Sequence, residues 1–235
     1  FRSVQQNAEV LAGLVLAYQY RPGLPVMYNG IITPADMRTA LSVYGSPEVG
    51  IAGACTVQLA RRYNLPCKVY GFATSSKVMD IQAGIERSMN ALMAAMAGPS
   101  MLGGVGSGAD LLTASLEQLV IDNEIMDRIL FSGRKLAVDQ VTIALDATRE
   151  LLDGVSFLEQ RHTVQHLRAG TLWTPSLSDH SSLATWDTKG GRAMLERASL
   201  LVQQILAEHR VEPLPEEIDA ELDRLLARAR AELVR

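Results

Sequence analysis

Cysteine is scarce, aromatic residues are few, and no charge of either sign dominates. Only two cysteines occur in 235 residues, aromatics make up 5%, and the net charge is −4. Cys55 falls in a helical stretch and Cys67 in a strand-like one, with neither metal-ligand nor redox spacing. They read as buried thiols of a reducing compartment, so a cytoplasmic location is expected. The basic residues are scattered, which excludes the electrostatic footprint of a nucleic-acid binder. No apolar run approaches the roughly 18 residues of a membrane span, and the opening FRSVQQ has no signal-peptide pattern. The chain starts with Phe1 inside an amphipathic pattern in which Val4, Ala8, Leu11, Val15 and Tyr18 share a helical face, so a piece of a longer protein is expected.

What is present is ample material for a core: 48% of residues are hydrophobic and 20% charged. A first helix is predicted to stop at Arg21-Pro22-Gly23, followed by a strand within Leu24–Gly30. Ser46, Pro47 and Glu48 mark the start of a second helix, as cap, first-turn proline and favourable charge, running to about Tyr63. Cys67–Tyr70 reads as a strand, then a helix with Ile81, Ile85, Met89, Leu92 and Met96 as its buried stripe. Met101-Leu102 is a third strand leading into Gly103–Gly108. Ser115 to Gln118 is a capping box opening the helix that carries Asp122, Asn123 and Glu124. One more helix over Val138–Leu152, a fourth strand at Val155–Leu158, an irregular stretch, and helices at Arg192–His209 and Pro215–Val234 complete the pattern.

Strand–helix units in succession suit an α/β fold, specifically part of a (β/α)8 TIM barrel, whose full form needs about 250 residues. Three or four strands do not close it, so the chain is expected to be the carboxyl-terminal half plus terminal helices. Residues 1–210 then form the barrel part, and 211–235 an amphipathic helix packed on it or on a partner subunit. A doubly wound sheet is the alternative, but no strand turn carries its glycine fingerprint.

Candidate site residues cluster after strand ends, where parallel folds place their ligands. Tyr28, Asn29, Tyr70, Phe72, Thr74, Ser75 and Ser76 form either an aromatic-walled pocket with hydroxyl donors or core tyrosines with capping serines. Gly103 and Gly104 open a loop that is either flexible or a close approach to a ligand. His162 and His166 have helical spacing without the glutamate of a zinc protease, so no metal site is expected, and His162 is placed near the pocket by hydrogen bonds. The flanking Ile121 and Ile125 bury at least one acid of Asp122-Asn123-Glu124, which must then be paired. No catalytic base is evident.

These residues carry a resemblance. Gly45 to Glu48, Tyr63 to Pro66, Thr74 to Lys77, Asp80 to Glu86, Ala97-Gly98, Val120 to Glu124, and Phe157-Leu158 with His162-Thr163 together resemble the trimethylamine:corrinoid methyltransferase family, in order along most of the chain. The resemblance implies methyl transfer from a quaternary or tertiary methylamine, betaine-like or trimethylamine-like, to the Co(I) of a separate corrinoid protein. It implies no cofactor bound directly, since the corrinoid comes with the partner. The absence of pyrrolysine implies a relative acting on quaternary amines. Ser76 stands where the family shows Asp, and Met79 where Pro is frequent. Tyr28, Tyr70 and Phe72 become the cation-binding aromatics, and Thr74, Ser75 and His162 partners for a substrate carboxylate. Asp80, Gln82, Asp122 and Glu124 are expected behind them. This reading puts Tyr28, Thr74 and Gly104 on one cavity. A homo-oligomer is expected, and neither a nucleic acid nor a membrane. The alternative is a non-catalytic binding module for a small cationic or zwitterionic solute.

Overall fold

The computed structural model describes Ser3–Leu233; Val234, the expected end of the last helix, lies outside the described residues. The chain divides into two compact units, residues 1–202 and 203–235. The first is mixed α/β. Its centre is a three-stranded parallel sheet in sequential order, β1 (Tyr28–Asn29), β2 (Cys67–Tyr70) and β3 (Met101–Gly103). Tyr28 pairs with Cys67, and Lys68 with Met101. Parallel neighbours require crossovers, and helices supply them. Helix α1 (Ser3–Tyr20) precedes β1, α2 (Pro47–Arg62) links β1 to β2, and α3 (Ile81–Ala97) links β2 to β3.

Local chemistry sets these boundaries. Pro47 opens α2 with Glu48 in the first turn and Arg61 and Arg62 in the last, as the dipole favours. Ser46 is the cap residue by backbone, but its hydroxyl bonds to the Glu48 carboxylate instead of a helix N–H. Asp80 caps α3 by accepting from Ala83 N at 3.0 Å, and Gly98 ends it with a left-handed φ of 74°.

The inner face of α3 is not the expected one. Ile81, Ile85, Met89, Leu92 and Met96 are exposed, and Ala83, Arg87, Asn90, Ala91 and Ala94 are buried. The reason is the closeness of α3 to its neighbours. A Cβ on Gly71 would stand 2.8 Å from Ala91 Cα, and one on Gly53 3.5 Å from Ala94 Cβ. Only small side chains fit at those two crossings. Ile81, Ile85, Met89 and Leu92 instead face α4 (Leu116–Ser132) across an open apolar groove of about 730 Å³, with Ile121, Ile125 and Ile129 opposite. Helix α1 is similarly rotated. Val4, Val15 and Tyr18 are exposed, while Val10 packs on the core and Asn7 receives the Tyr28 hydroxyl proton at 3.0 Å. The core itself joins Tyr28, Val57, Ala60, Cys67, Val69 and Ala94.

Beyond β3 an antiparallel pair, β4 (Ser107–Gly108) and β5 (Thr113–Ala114), leads to α4, whose cap Ser115 accepts from Gln118 N. The expected single helix over 138–152 is two, α5 (Gln140–Ile143) and α6 (Leu145–Leu152), broken at Ala144 with φ 55°. The expected fourth strand is a 3₁₀ turn at Phe157–Glu159, because Ser156 and Glu159 cap each other reciprocally and close the backbone. Helices α7 (Arg161–Arg168), α8 (Leu183–Thr188) and the start of α9 (Met194–Glu208) follow. The second unit holds the end of α9 and α10 (Glu216–Leu233), whose first turn is acidic. No described helix is long and apolar enough to cross a membrane.

Candidate functional site

The carboxyl ends of β2 and β3 run into loops that are bonded to each other. Gly71 and Phe72 N–H groups both donate to Gly103 O at 3.2 Å. Gly104 turns there with φ 93°; a Cβ on it would lie 3.2 Å from the Phe72 carbonyl carbon, so glycine alone allows the approach. Further along, Ala109 N donates to Ser76 O and Asp110 N to Thr74 O, each at 2.9 Å. Ala109, Asp110 and Leu111 hold left-handed φ values of 48°, 56° and 69°, three non-glycine residues in a row. Each costs about 1–2 kcal/mol, and such strain concentrates at functional sites.

Two carboxylates fasten this rim. Glu86 Oε2 accepts from the Thr74 hydroxyl at 2.5 Å and from Ser75 N at 2.8 Å, while Oε1 accepts from Gln82. Asp110 Oδ1 accepts from the Ser75 hydroxyl at 2.5 Å and from Tyr44 N at 3.0 Å, with Lys77 Nζ 3.5 Å from Oδ2. Gly45 N in turn donates to the Ser75 hydroxyl oxygen. The Ala83 N–H and the Ser76 hydroxyl both donate to Asp80 and hold its carboxyl below the ordinary range.

Beneath the rim lies a buried ion pair. Arg87 Nη1 stands 2.5 Å from Asp122 Oδ2, and both side chains are fully buried. Asp122 also accepts from Gly106 N at 2.7 Å and Gln118 Nε2 at 2.9 Å. Burial pushes the Asp122 carboxyl up to about 6, against the opposing pull of Arg87 and the two donors. Burial lowers the Arg87 guanidinium, with Asp122 opposing. Between the Thr74–Met79 segment and the Gly106–Ser115 segment is a cavity of about 190 Å³ that Arg87, Lys77, Ser76 and Gln118 help to line.

The expected site residues thus divide. Thr74, Ser75, Ser76, Gly103 and Gly104 come together at the strand ends, with Asp80, Gln82 and Asp122 behind them. Of Tyr28, Thr74 and Gly104, expected on one cavity, Thr74 alone lines this chamber. Tyr28 is fully buried in the core beside Tyr63, because its hydroxyl is held by Asn7 of α1, and Asn29 is exposed. Phe72 is fully buried, and Lys68 Nζ sits 5.0 Å from the ring centroid of half-buried Tyr70. His162 lies on α7 with Nε2 3.1 Å from Val141 O and its ring 4.3 Å from that of His166. Glu124 is buried and accepts from Ser176, Leu177 and Ser178 N–H groups and the Ser176 hydroxyl. Burial alone would raise its carboxyl, but these donors hold it down at about 2. Both flanking acids of Asp122-Asn123-Glu124 are therefore buried and partnered. Arg87 and Asp110 are site residues that the sequence pattern does not single out, and Glu86 enters it only as the end of the Asp80 to Glu86 motif, without a role at the site. Arg87 alone carries a signal: it lies on the small-residue stripe Ala83, Asn90, Ala91 and Ala94.

Among known proteins, residues 2–234 match the family described as trimethylamine methyltransferase (MTTB). The chain is 33% identical over 226 residues to trimethylamine methyltransferase MttB of Methanosarcina barkeri, covering 96% of this chain and 45% of that protein. It is 35% identical over 223 residues to the glycine betaine methyltransferase of Desulfitobacterium hafniense strain Y51, covering 94% of this chain and 46% of that protein. The chain spans about half the length of the curated relatives it matches. A match over nearly its whole extent shows that the chain belongs to the trimethylamine methyltransferase family.

Proposed function

We propose that the protein carrying this chain moves a methyl group from a methylated amine to the Co(I) of a separate corrinoid protein, and that its parallel sheet is part of a (β/α)8 barrel. Family membership carries the reading. The sequential strand order and the polar cluster at the strand carboxyl ends support it, since barrel enzymes bind their substrates at that end.

In such a transfer the carbon–nitrogen bond breaks and its electron pair stays on nitrogen. A quaternary ammonium then leaves as a neutral amine without a proton, so no general acid is required. The corrinoid supplies the nucleophile. What falls to this chain is holding the amine in line and excluding water, which is catalysis by positioning. The braced rim suits that role, with Glu86 and Asp110 fixing Thr74 and Ser75 from opposite sides.

The experiment mixes the protein, a corrinoid protein reduced to Co(I), and glycine betaine or trimethylamine, following the corrinoid's visible spectrum. Methyl-donor-dependent loss of the Co(I) spectrum is expected. Saturable amine binding with no spectral change would instead identify a solute-binding module.

A further inference from the structure

Helix α10 is amphipathic, and its apolar stripe is bare. Ile218, Leu222, Leu225 and Leu226 are each between 43% and 55% exposed, and no residue of the helix is buried. Ile218, Leu222, Leu225 and Ala229 recur at alternating steps of four and three, the spacing of a two-helix seam. Helices in proteins owe most of their stability to packing such a stripe, so an uncovered one calls for an occupant.

The charges say which occupant. Between Glu216 and Asp223 lie five acids and no base; between Arg224 and Leu233 lie three arginines and one glutamate. An anionic membrane would repel the acidic half, and the helix has no lysine or aromatic residue to anchor it. A parallel second copy would set acids on acids and arginines on arginines. An antiparallel one sets the acidic half of each helix against the arginines of the other.

That arrangement is two-fold symmetric, with its axis passing between Asp223 and Arg224. Leu222 then faces Leu225 of the second copy, and Ile218 faces Ala229. Glu221 and Arg228 border the stripe on one side, two turns apart, so each meets the other across the axis and the contact occurs twice. Within the helix Arg224 stands 3.1 Å from Glu221, and Arg228 2.8 Å from Glu232. All four side chains are more than half exposed, and pairs of that kind contribute too little to keep a second copy away.

Independently of the methyl-transfer reading, we infer that α10 is a dimerisation surface that takes α10 of a second copy of this chain as an antiparallel two-helix pair. A seam this short makes a modest dimer, with a dissociation constant on the order of 10 μM.

Sedimentation velocity of the whole chain across that concentration range tests this, and a two-chain species is expected to grow in as concentration rises. Glu221→Arg leaves positive charge at both 221 and 228, and Arg228→Glu leaves negative charge at both. Each alone is expected to weaken self-association about tenfold. Their equimolar mixture should regain the wild-type affinity as a mixed pair, and the chain with both changes should pair with itself as the wild type does. Recovery of this kind belongs to antiparallel pairing, and variants that failed to fold could not produce it. A chain that stays monomeric at every concentration, or an association that neither change weakens, overturns the inference. Variants weakened singly but not recovered on mixing overturn it too, since α10 would then cover a different surface.

Discussion

Asp122 Oδ2 meets both Arg87 Nη1, at 2.5 Å, and the backbone N–H of Gly106, at 2.7 Å. One oxygen on α4 thereby ties down a side chain of α3 and the loop leaving β3. The two outer helices and the strand-end loop are fastened together at a point that solvent does not reach. Such a pair adds little net stability when compared with an apolar replacement, but losing one member leaves a bare buried charge.

Asp122→Asn is accordingly expected to destabilise the fold by about 3–5 kcal/mol in urea denaturation. The double replacement Arg87→Met with Asp122→Leu should cost less than Asp122→Asn alone. A double variant worse than the single one would show that the ion pair itself, and not the orphaned charge, matters.

Two buried acids give opposite pH dependences. Glu124 sits at about 2, below its ordinary 4.5, so its contribution of about 3 kcal/mol is complete above pH 4.5 and lost as pH falls toward 2. Asp122 sits at about 6, above its ordinary 3.8, so its contribution is present below pH 3.8 and lost as pH rises through 6. Stability against pH should rise from 2 to 4.5 and lose ground between 4 and 6. Glu124→Gln should erase the acid limb alone, as read by denaturant midpoints across pH 2–7.

Left-handed backbone at Ala109 and Leu111 is strained without being glycine. Ala109→Gly or Leu111→Gly should raise stability by about 1 kcal/mol, measured by thermal denaturation. A loss in both variants would mean that their side chains make contacts worth more than the strain.

Glu86→Gln keeps the shape of the side chain but weakens its grip on the Thr74 hydroxyl and Ser75 N–H. A cost of about 1–3 kcal/mol is expected. Because exposed Lys77 lies in the released loop, trypsin should cut after it several-fold faster than in the wild type. Unchanged cleavage would locate the loop's anchorage at Asp110 instead.

Caps and strands are legible in the sequence where one residue type does one local job. Pro47, Ser115, Gly98 and Cys67–Tyr70 all stand at or within a residue of the expected boundaries. That at least one acid of Asp122-Asn123-Glu124 is buried is readable because isoleucines bracket the group; that both Asp122 and Glu124 are buried is not. The inward face of α3 is not legible, because large apolar side chains dominate any periodicity while the true seam is built from alanines, Asn90 and Arg87. The strand expected at Val155–Leu158 fails for a related reason: β-forming side chains lose to a reciprocal Ser156–Glu159 cap. The grouping of Thr74, Ser75 and Ser76 follows from their place after β2. Their partners do not: Glu86 lies 11 and 12 residues from Ser75 and Thr74, and Asp110 lies 35 from Ser75, pairings that no local pattern encodes.

The tight alanine–glycine seam between α3, α2 and β2 has a mechanical corollary. With Gly71 jammed against Ala91, any added volume on that inner helix face has no slack to occupy and must shove the backbone just ahead of Phe72 and Thr74. Bulk introduced at Ala91, on the helix and outside the chamber, would thus press on the strand end that leads into it. That alanine works as a set-screw on the opening.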